Sequence, residues 1–287
     1  MDDRLRAIAL MYGLAGAGAI LLPAVVFWVG HRRWGWRARV ALIGAATFLV
    51  FQGLLRLPWL PAFNAWATAR WGVAATALLA SLTAALWEET GRYVAYRLVV
   101  RRPRAADAVA MGLGHGGFES AVLVGLSLLA TAIALWLLPW AEGMGGPAGG
   151  DRPGAPFGLP PEAAAGLRQA REAVLAGGFA APALAFVERV AALALHVGLS
   201  VLVAAAWVRG RAILWAAAVG VHFAVNAGAV TLAQSGHGLL AEGVALVLAA
   251  GFLWRALRWA PVLDAAVVGV EGASVGVAGA HGRAGGG

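Results

Sequence analysis

The chain has 287 residues, of which 61% are hydrophobic and only 13% charged, with a mean hydropathy of +0.77; a soluble domain carries about 25% charged residues, so a water-soluble globular protein is excluded. The basic residues are all arginine and give a formal net charge of +8, but they cluster between apolar segments, which fits membrane topology and excludes a nucleic-acid footprint. There is no cysteine, so disulfides, thiolate zinc sites, iron–sulfur clusters and cysteine nucleophiles are excluded as well.

Apolar windows of about 20 residues place spans near 7–29, 38–55, 71–97, 107–138, 182–208, 212–233 and 239–258. The expected fold is therefore an all-α, polytopic transmembrane bundle of about seven spans over residues 1–260. The first span has a weak positive flank and a long apolar stretch, which predicts a retained helix. The fourth is too long for one straight crossing, and Gly112, Gly114, Gly116 and Gly117 permit a kink or a close approach of neighbouring backbones. A loop at about 140–181 follows, Gly- and Pro-rich over 141–161, with a short surface helix expected over 162–176 after Pro161. Residues 261–287 read as a Gly-rich flexible tail.

Arginines set the expected orientation. Arg32, Arg33, Arg37 and Arg39 follow the first span, Arg97, Arg101, Arg102 and Arg104 the third, Arg209 and Arg211 the fifth, and Arg255 and Arg258 end the last. Cytoplasmic loops hold the positive excess, so the amino terminus is expected outside and the carboxyl terminus in the cytoplasm. A reporter fused after Arg258 should accordingly be cytoplasmic, and one inserted near Gly150 should lie on the other side. A cytoplasmic reporter at Gly150 would overturn this orientation.

Measured from those arginines, four helices carry polar groups at one depth. Glu89 lies twelve residues before Arg101, His115 eleven after Arg104, His196 thirteen before Arg209 and His222 eleven after Arg211, each roughly 16 to 20 Å from that edge. Glu119 and Asn226 fall one turn beyond His115 and His222 on the same faces. Each residue taken alone also fits a structural bond between helices. Their shared depth favours a site, because ionisable groups in hydrocarbon face wet cavities or partners. Glu188 and Arg189 belong nearer the opposite interface as a local pair, and His31, His237, His281, Glu242 and Glu271 receive no role.

Neutral imidazoles and carboxylates suit a catalytic zinc ion with one open water position, and Glu88 or Glu89 could accept the water's proton. Arg92, four and three residues further on, can orient either carboxylate. Asn226 can donate to a developing oxyanion. The same residues also suit a metal-free site in which Glu and His activate water.

The strings WEETGRYVAYRLVVRR (87–102), MGLGHGGFES (111–120), ERVAALALHVGLSVLV (188–203) and LWAAAVGVHFAVNAG (214–228) resemble the YhfC family of bacterial membrane proteins, regarded as intramembrane metalloproteases. CAAX-prenyl, bacteriocin-processing and PrsW-type proteases are wider relatives. The resemblance implies Glu88 and Glu89 as the water-activating pair with Arg92 as their basic companion, Glu119 in the second motif preceded by His115, His196 in the third, and His222 with Asn226 in the fourth. Two residues separate Glu89 from Arg92 where the CAAX-protease pattern has three, and Asn226 stands where many relatives have Asp. The expectation is a multi-pass peptidase of the bacterial inner membrane. Glu88, Glu89, Arg92 and Asn226 would be catalytic, with His115, Glu119, His196 and His222 binding Zn2+. Its partners would be the lipid bilayer and a membrane-associated peptide or protein substrate, with no nucleic acid. A scaffold or an ion or proton pathway using the same buried groups is the alternative.

Overall fold

Backbone polar groups in hydrocarbon must be satisfied internally, which leaves helices as the structure open to these long apolar runs. The computed structural model describes residues 3–145 and 161–265, and no β-strand occurs among them. The chain runs through α1 (Asp3–Trp34), α2 (Ala38–Phe48), α3 (Leu60–Ala95), α4 (Ala105–Glu119), α5 (Leu126–Gly145), α6 (Pro161–Gly177), α7 (Ala180–Val208), α8 (Ala212–Gln234) and α9 (Gly238–Trp259). Wider π-helical turns extend α2 (Leu49–Leu54), α3 (Tyr96–Val100) and α4 (Ser120–Gly125).

Among the described residues six helices are long and apolar enough to cross a membrane, one of them running unbroken through α4 and α5 (Ala105–Leu137). The expected second span is shorter: Ala38–Leu54 covers about 25 Å at 1.5 Å per residue, against a hydrocarbon core of about 30 Å. α7 is the interior helix, 72% of its most apolar stretch being buried against 22–28% in the other spans. The helix expected over 162–176 is α6. Gly150 and most of the Gly/Pro stretch, together with the tail beyond 265, lie outside the described residues.

The chain forms two compact units. In the first, residues 3–22 of α1 meet the segment that starts at Ser120. Ser120 Oγ donates to the Ala19 carbonyl at 2.8 Å, and a Cβ on Gly16 would stand 2.9 Å from the Gly125 carbonyl. Leu5, Ala9 and Leu135 form the core of this unit with Tyr12, Val174 and Leu175 against them, and Glu188 and Arg189 pair with each other.

The second unit, 23–119 and 190–265 among the described residues, holds the polar residues of interest. Its packing rests on small residues, which let backbones touch where lipid provides no hydrophobic drive between helices. A Cβ on Gly114 would lie 1.8 Å from the Ala41 carbonyl oxygen, and one on Gly44 2.2 Å from that of Met111, so α2 and α4 are in backbone contact. Gly112 faces the Val197 backbone and Gly116 the His196 ring. The α4 glycines therefore serve close approach. The backbone stays α-helical through them, and the departure to π geometry comes later, at Ser120–Gly125. Gly114→Ala should destabilise the protein by about 1–3 kcal/mol through overpacking, whereas Gly220→Ala, with open space around it, should be neutral or gain up to about 1 kcal/mol of helix propensity. Thermal unfolding of the two variants in detergent checks the contrast. Equal melting temperatures would contradict the α2–α4 contact.

Polar ties fix the helix ends. Arg37 grips the buried Asp107 with Nε at 2.6 Å and Nη2 at 2.5 Å, while Asp107 accepts the Arg104 N–H at 2.9 Å and so caps the start of α4. Asp264 accepts the Ala105 N–H at 2.9 Å. Between α2 and α3, Arg56 is only 4% exposed, and its guanidinium donates to Gln52 Oε1, Thr83 Oγ1 and the Ala80 carbonyl. Burial pushes this guanidinium below its ordinary pKa, an effect the Glu88 carboxylate opposes. α3 itself breaks at Gly72, where φ is +80°. The preceding turns, Leu60–Trp71, bring Phe63 against Trp66 in a tilted contact and Trp66 edge-on to Trp71.

Candidate active site

Glu88 and Glu89 are successive residues of α3, so their side chains leave the helix about 100° apart and reach different neighbours. Glu88 faces α4 and α7: its Oε2 lies 3.0 Å from His115 Nε2 and 4.0 Å from His196 Nδ1. Glu89 faces α8, with Oε1 2.7 Å from His222 Nδ1. Arg92, one turn along, pairs with Glu89 and stands 3.8 Å from Glu88 Oε2. Glu88, Glu89, Arg92, His115, His196 and His222 are all buried, none more than 3% exposed. One further turn along α3, the Tyr96 hydroxyl donates to the Ser200 carbonyl at 3.1 Å and ties α3 to α7.

His196 stands at the centre. Its ring centroid is 5.2 Å from that of His115 and 5.5 Å from that of His222. Arg92 Nη2 lies 2.6 Å from its Nδ1. A guanidinium has only donors, so Nδ1 accepts and the ring hydrogen of the neutral imidazole sits on Nε2, 2.6 Å from Glu119 Oε2. Glu119 is thereby joined to the cluster through His196. On the other flank the Phe48 ring meets His115 edge-on at 5.2 Å, closing the site from α2.

Seven of the eight residues singled out in the sequence thus meet in one network drawn from α3, α4, α7 and α8. Asn226 is the exception: it lies one turn beyond His222, half-buried, with no side-chain hydrogen bond among the described residues. Three polar atoms of the network are buried without a hydrogen-bond partner, Glu89 Oε2, Arg92 Nε and His115 Nδ1. Leaving such a group unsatisfied costs about 1–3 kcal/mol, and the two acceptors among them, Glu89 Oε2 and His115 Nδ1, suit a water proton or a cation. Arg56 and Asp107, buried polar residues outside this network, were not singled out in the sequence; an acid three residues into a helix start is the available signal for Asp107.

A family model described as YhfC intramembrane metalloprotease matches residues 18–144 and 158–248. The chain belongs to the YhfC family. It is 34% identical over 126 residues to a Bacillus subtilis (strain 168) protein named "Uncharacterized membrane protein YhfC". That match covers 42% of this chain and 48% of the relative, so it spans about half of the curated protein. No solved structure matches the chain. With its six apolar helices and membrane-protein relative, the chain is a multi-pass membrane protein.

The family description raises the question of a metal, and the donor set fits one. A ligand atom from each of Glu88, His115 and His196 lies within 4.8 Å of the other two, all three residues being buried. Two imidazoles and one carboxylate are a ligand set of catalytic zinc, and the unpartnered Nδ1 of His115 is a spare lone pair. For His196 to ligate, it must exchange one of its two present partners, Arg92 or Glu119, for the ion. This trio includes Glu88, whereas His222 pairs with Glu89, and Glu119 with His196.

Proposed function

We propose that this protein hydrolyses a peptide bond in or near the bacterial cell membrane, at the buried Glu/His cluster and with a divalent cation. The observation carrying this reading is the convergence of Glu88, His115 and His196 within 4.8 Å, next to a second carboxylate already held by an arginine and a histidine. Glu88, His115 and His196 would hold the ion. When bound, a cation such as Zn2+ polarises a carbonyl and lowers the pKa of water to about 7.

The chain's own residues supply the proton traffic. Arg92 and His222 both engage Glu89 Oε1, which leaves Oε2 to accept a proton from the attacking water. As the water oxygen bonds to the scissile carbon, the carbonyl oxygen takes up negative charge, and the unengaged amide of Asn226 donates to it. The proton then passes from Glu89 Oε2 to the leaving nitrogen, the C–N bond breaks, and a carboxylic acid and an amine result, which exchange the remaining water proton to leave as carboxylate and ammonium. Asn226→Ala should lower kcat by about 100-fold or more with little change in KM, because an oxyanion donor acts mainly in the transition state. Unchanged turnover in a folded variant would remove Asn226 from the mechanism.

A metal-free form of the same hydrolysis has one observation in its favour: both nitrogens of His196 already have partners, Arg92 and Glu119. Elemental analysis of the purified protein decides between the two. It should be joined to a comparison of membrane-protein fragments in cells carrying the wild-type chain or Glu89→Gln. About one zinc per chain together with fragments that vanish in the variant is the expected result; identical fragment patterns would reject the peptidase reading.

A further inference from the structure

Away from the Glu/His cluster, α7 and α9 part to leave a groove of about 250 Å³. Its shape follows from side-chain size. Gly198 admits the Phe252 ring, which a Cβ there would strike at 2.7 Å, and beyond that contact the facing residues are Val201, Ala205 and Ala256, too small to fill the space. The walls are apolar along their length, and Arg255 and Trp259 stand at one end.

We propose that this groove seats one acyl chain of an anionic membrane phospholipid, with Arg255 holding its phosphate. The volume selects a single chain: an α-helix with its side chains is about 10–12 Å across and cannot enter. The charge selects the headgroup. Arg255 is exposed, its guanidinium lies 4.9 Å over the Trp259 ring, and no carboxylate forms an ion pair with it among the described residues. Stacking uses the guanidinium face and leaves the N–H edge for phosphate oxygens. The neighbouring Arg258 stacks on Trp254 at 4.1 Å without lining the groove. Tryptophans mark headgroup depth, and basic pockets between spanning helices take anionic headgroups. Groove and cation thus meet at the level where a lipid's tail joins its phosphate.

The test is binding of short-chain phosphatidylglycerol and phosphatidylcholine to the purified full-length protein in neutral detergent, measured by titration calorimetry. Phosphatidylglycerol should bind about fivefold tighter, the effect of one arginine near an anionic surface. Arg255→Gln should bring the two affinities together, Arg258→Gln should keep the preference, and Ala205→Leu, which fills the groove, should weaken both lipids. An unchanged preference in Arg255→Gln, itself an exposed position that leaves the fold alone, overturns the proposal. So does displacement of phosphatidylglycerol by inorganic phosphate together with unaltered binding to Ala205→Leu, since that describes a phosphate site with no acyl seat.

Discussion

Glu89→Gln is expected to abolish hydrolysis, with a loss of about 10²–10⁴-fold, while the protein still inserts and folds. The substitution keeps the size of the side chain and an acceptor for Arg92 and His222, and removes only the basic oxygen at the Oε2 position. The buried Arg92 is not stranded, because the Glu88 carboxylate remains 3.8 Å from its Nη2; complete loss of a counter-charge would cost about 3–5 kcal/mol. Glu88→Gln should also be inactive, for a different reason, since it takes a donor from the Glu88, His115 and His196 trio. Turnover is read from the fragments of a membrane substrate that depends on this chain, and folding from circular dichroism and size exclusion. If both variants cleave that substrate at the wild-type rate, a scaffold or ion pathway replaces the peptidase.

The site was legible in the sequence because a membrane makes polar residues conspicuous. Against apolar spans, counting from the arginines was enough to put Glu89, His115, His196 and His222 at one level, and the structure brings them into one network. Counting cannot give azimuth between helices, however. The partition of Glu88 toward α4 and α7, and of Glu89 toward α8, depends on how far each helix is turned about its axis. For α4 the backbone contacts of Gly112 with Val197 and of Gly114 with Ala41 constrain that turn, and on α3 Gly91 lies against Phe51. Hydropathy placed the second apolar segment at 38–55, within one residue of the helix Ala38–Leu54, and it was silent on Leu60–Trp71, an alanine-rich helix with aromatic residues interrupted by Asn64, Thr68 and Arg70. Position between two spans does not distinguish Arg56 from any other loop arginine, yet its stem is long enough to fold back and bury the guanidinium against Gln52, Thr83 and the Ala80 carbonyl.

That partition of the carboxylates gives the last expected result, in which metal content and activity separate. Glu88→Gln, His115→Ala and His196→Ala each remove one of three protein donors, and each should purify with little zinc, since three protein ligands are the usual complement of a catalytic site. His222→Ala and Glu119→Gln remove residues that touch the donors or the second carboxylate, so zinc should remain, bound about 10–100-fold more weakly as expected when an orienting partner is lost. Glu89→Gln should retain it, because Glu89 is held by Arg92 and His222 outside the trio. Zinc per chain by elemental analysis after dialysis at a fixed free-zinc concentration reads all six variants. Loss in His222→Ala and Glu119→Gln with retention in Glu88→Gln would instead select His115, Glu119, His196 and His222 as the donors and return Glu88 to the water-activating pair. A wild type without metal whose activity still depends on Glu89 would leave the two carboxylates to activate water themselves, with Arg92 and Glu119 as the permanent partners of the His196 imidazole.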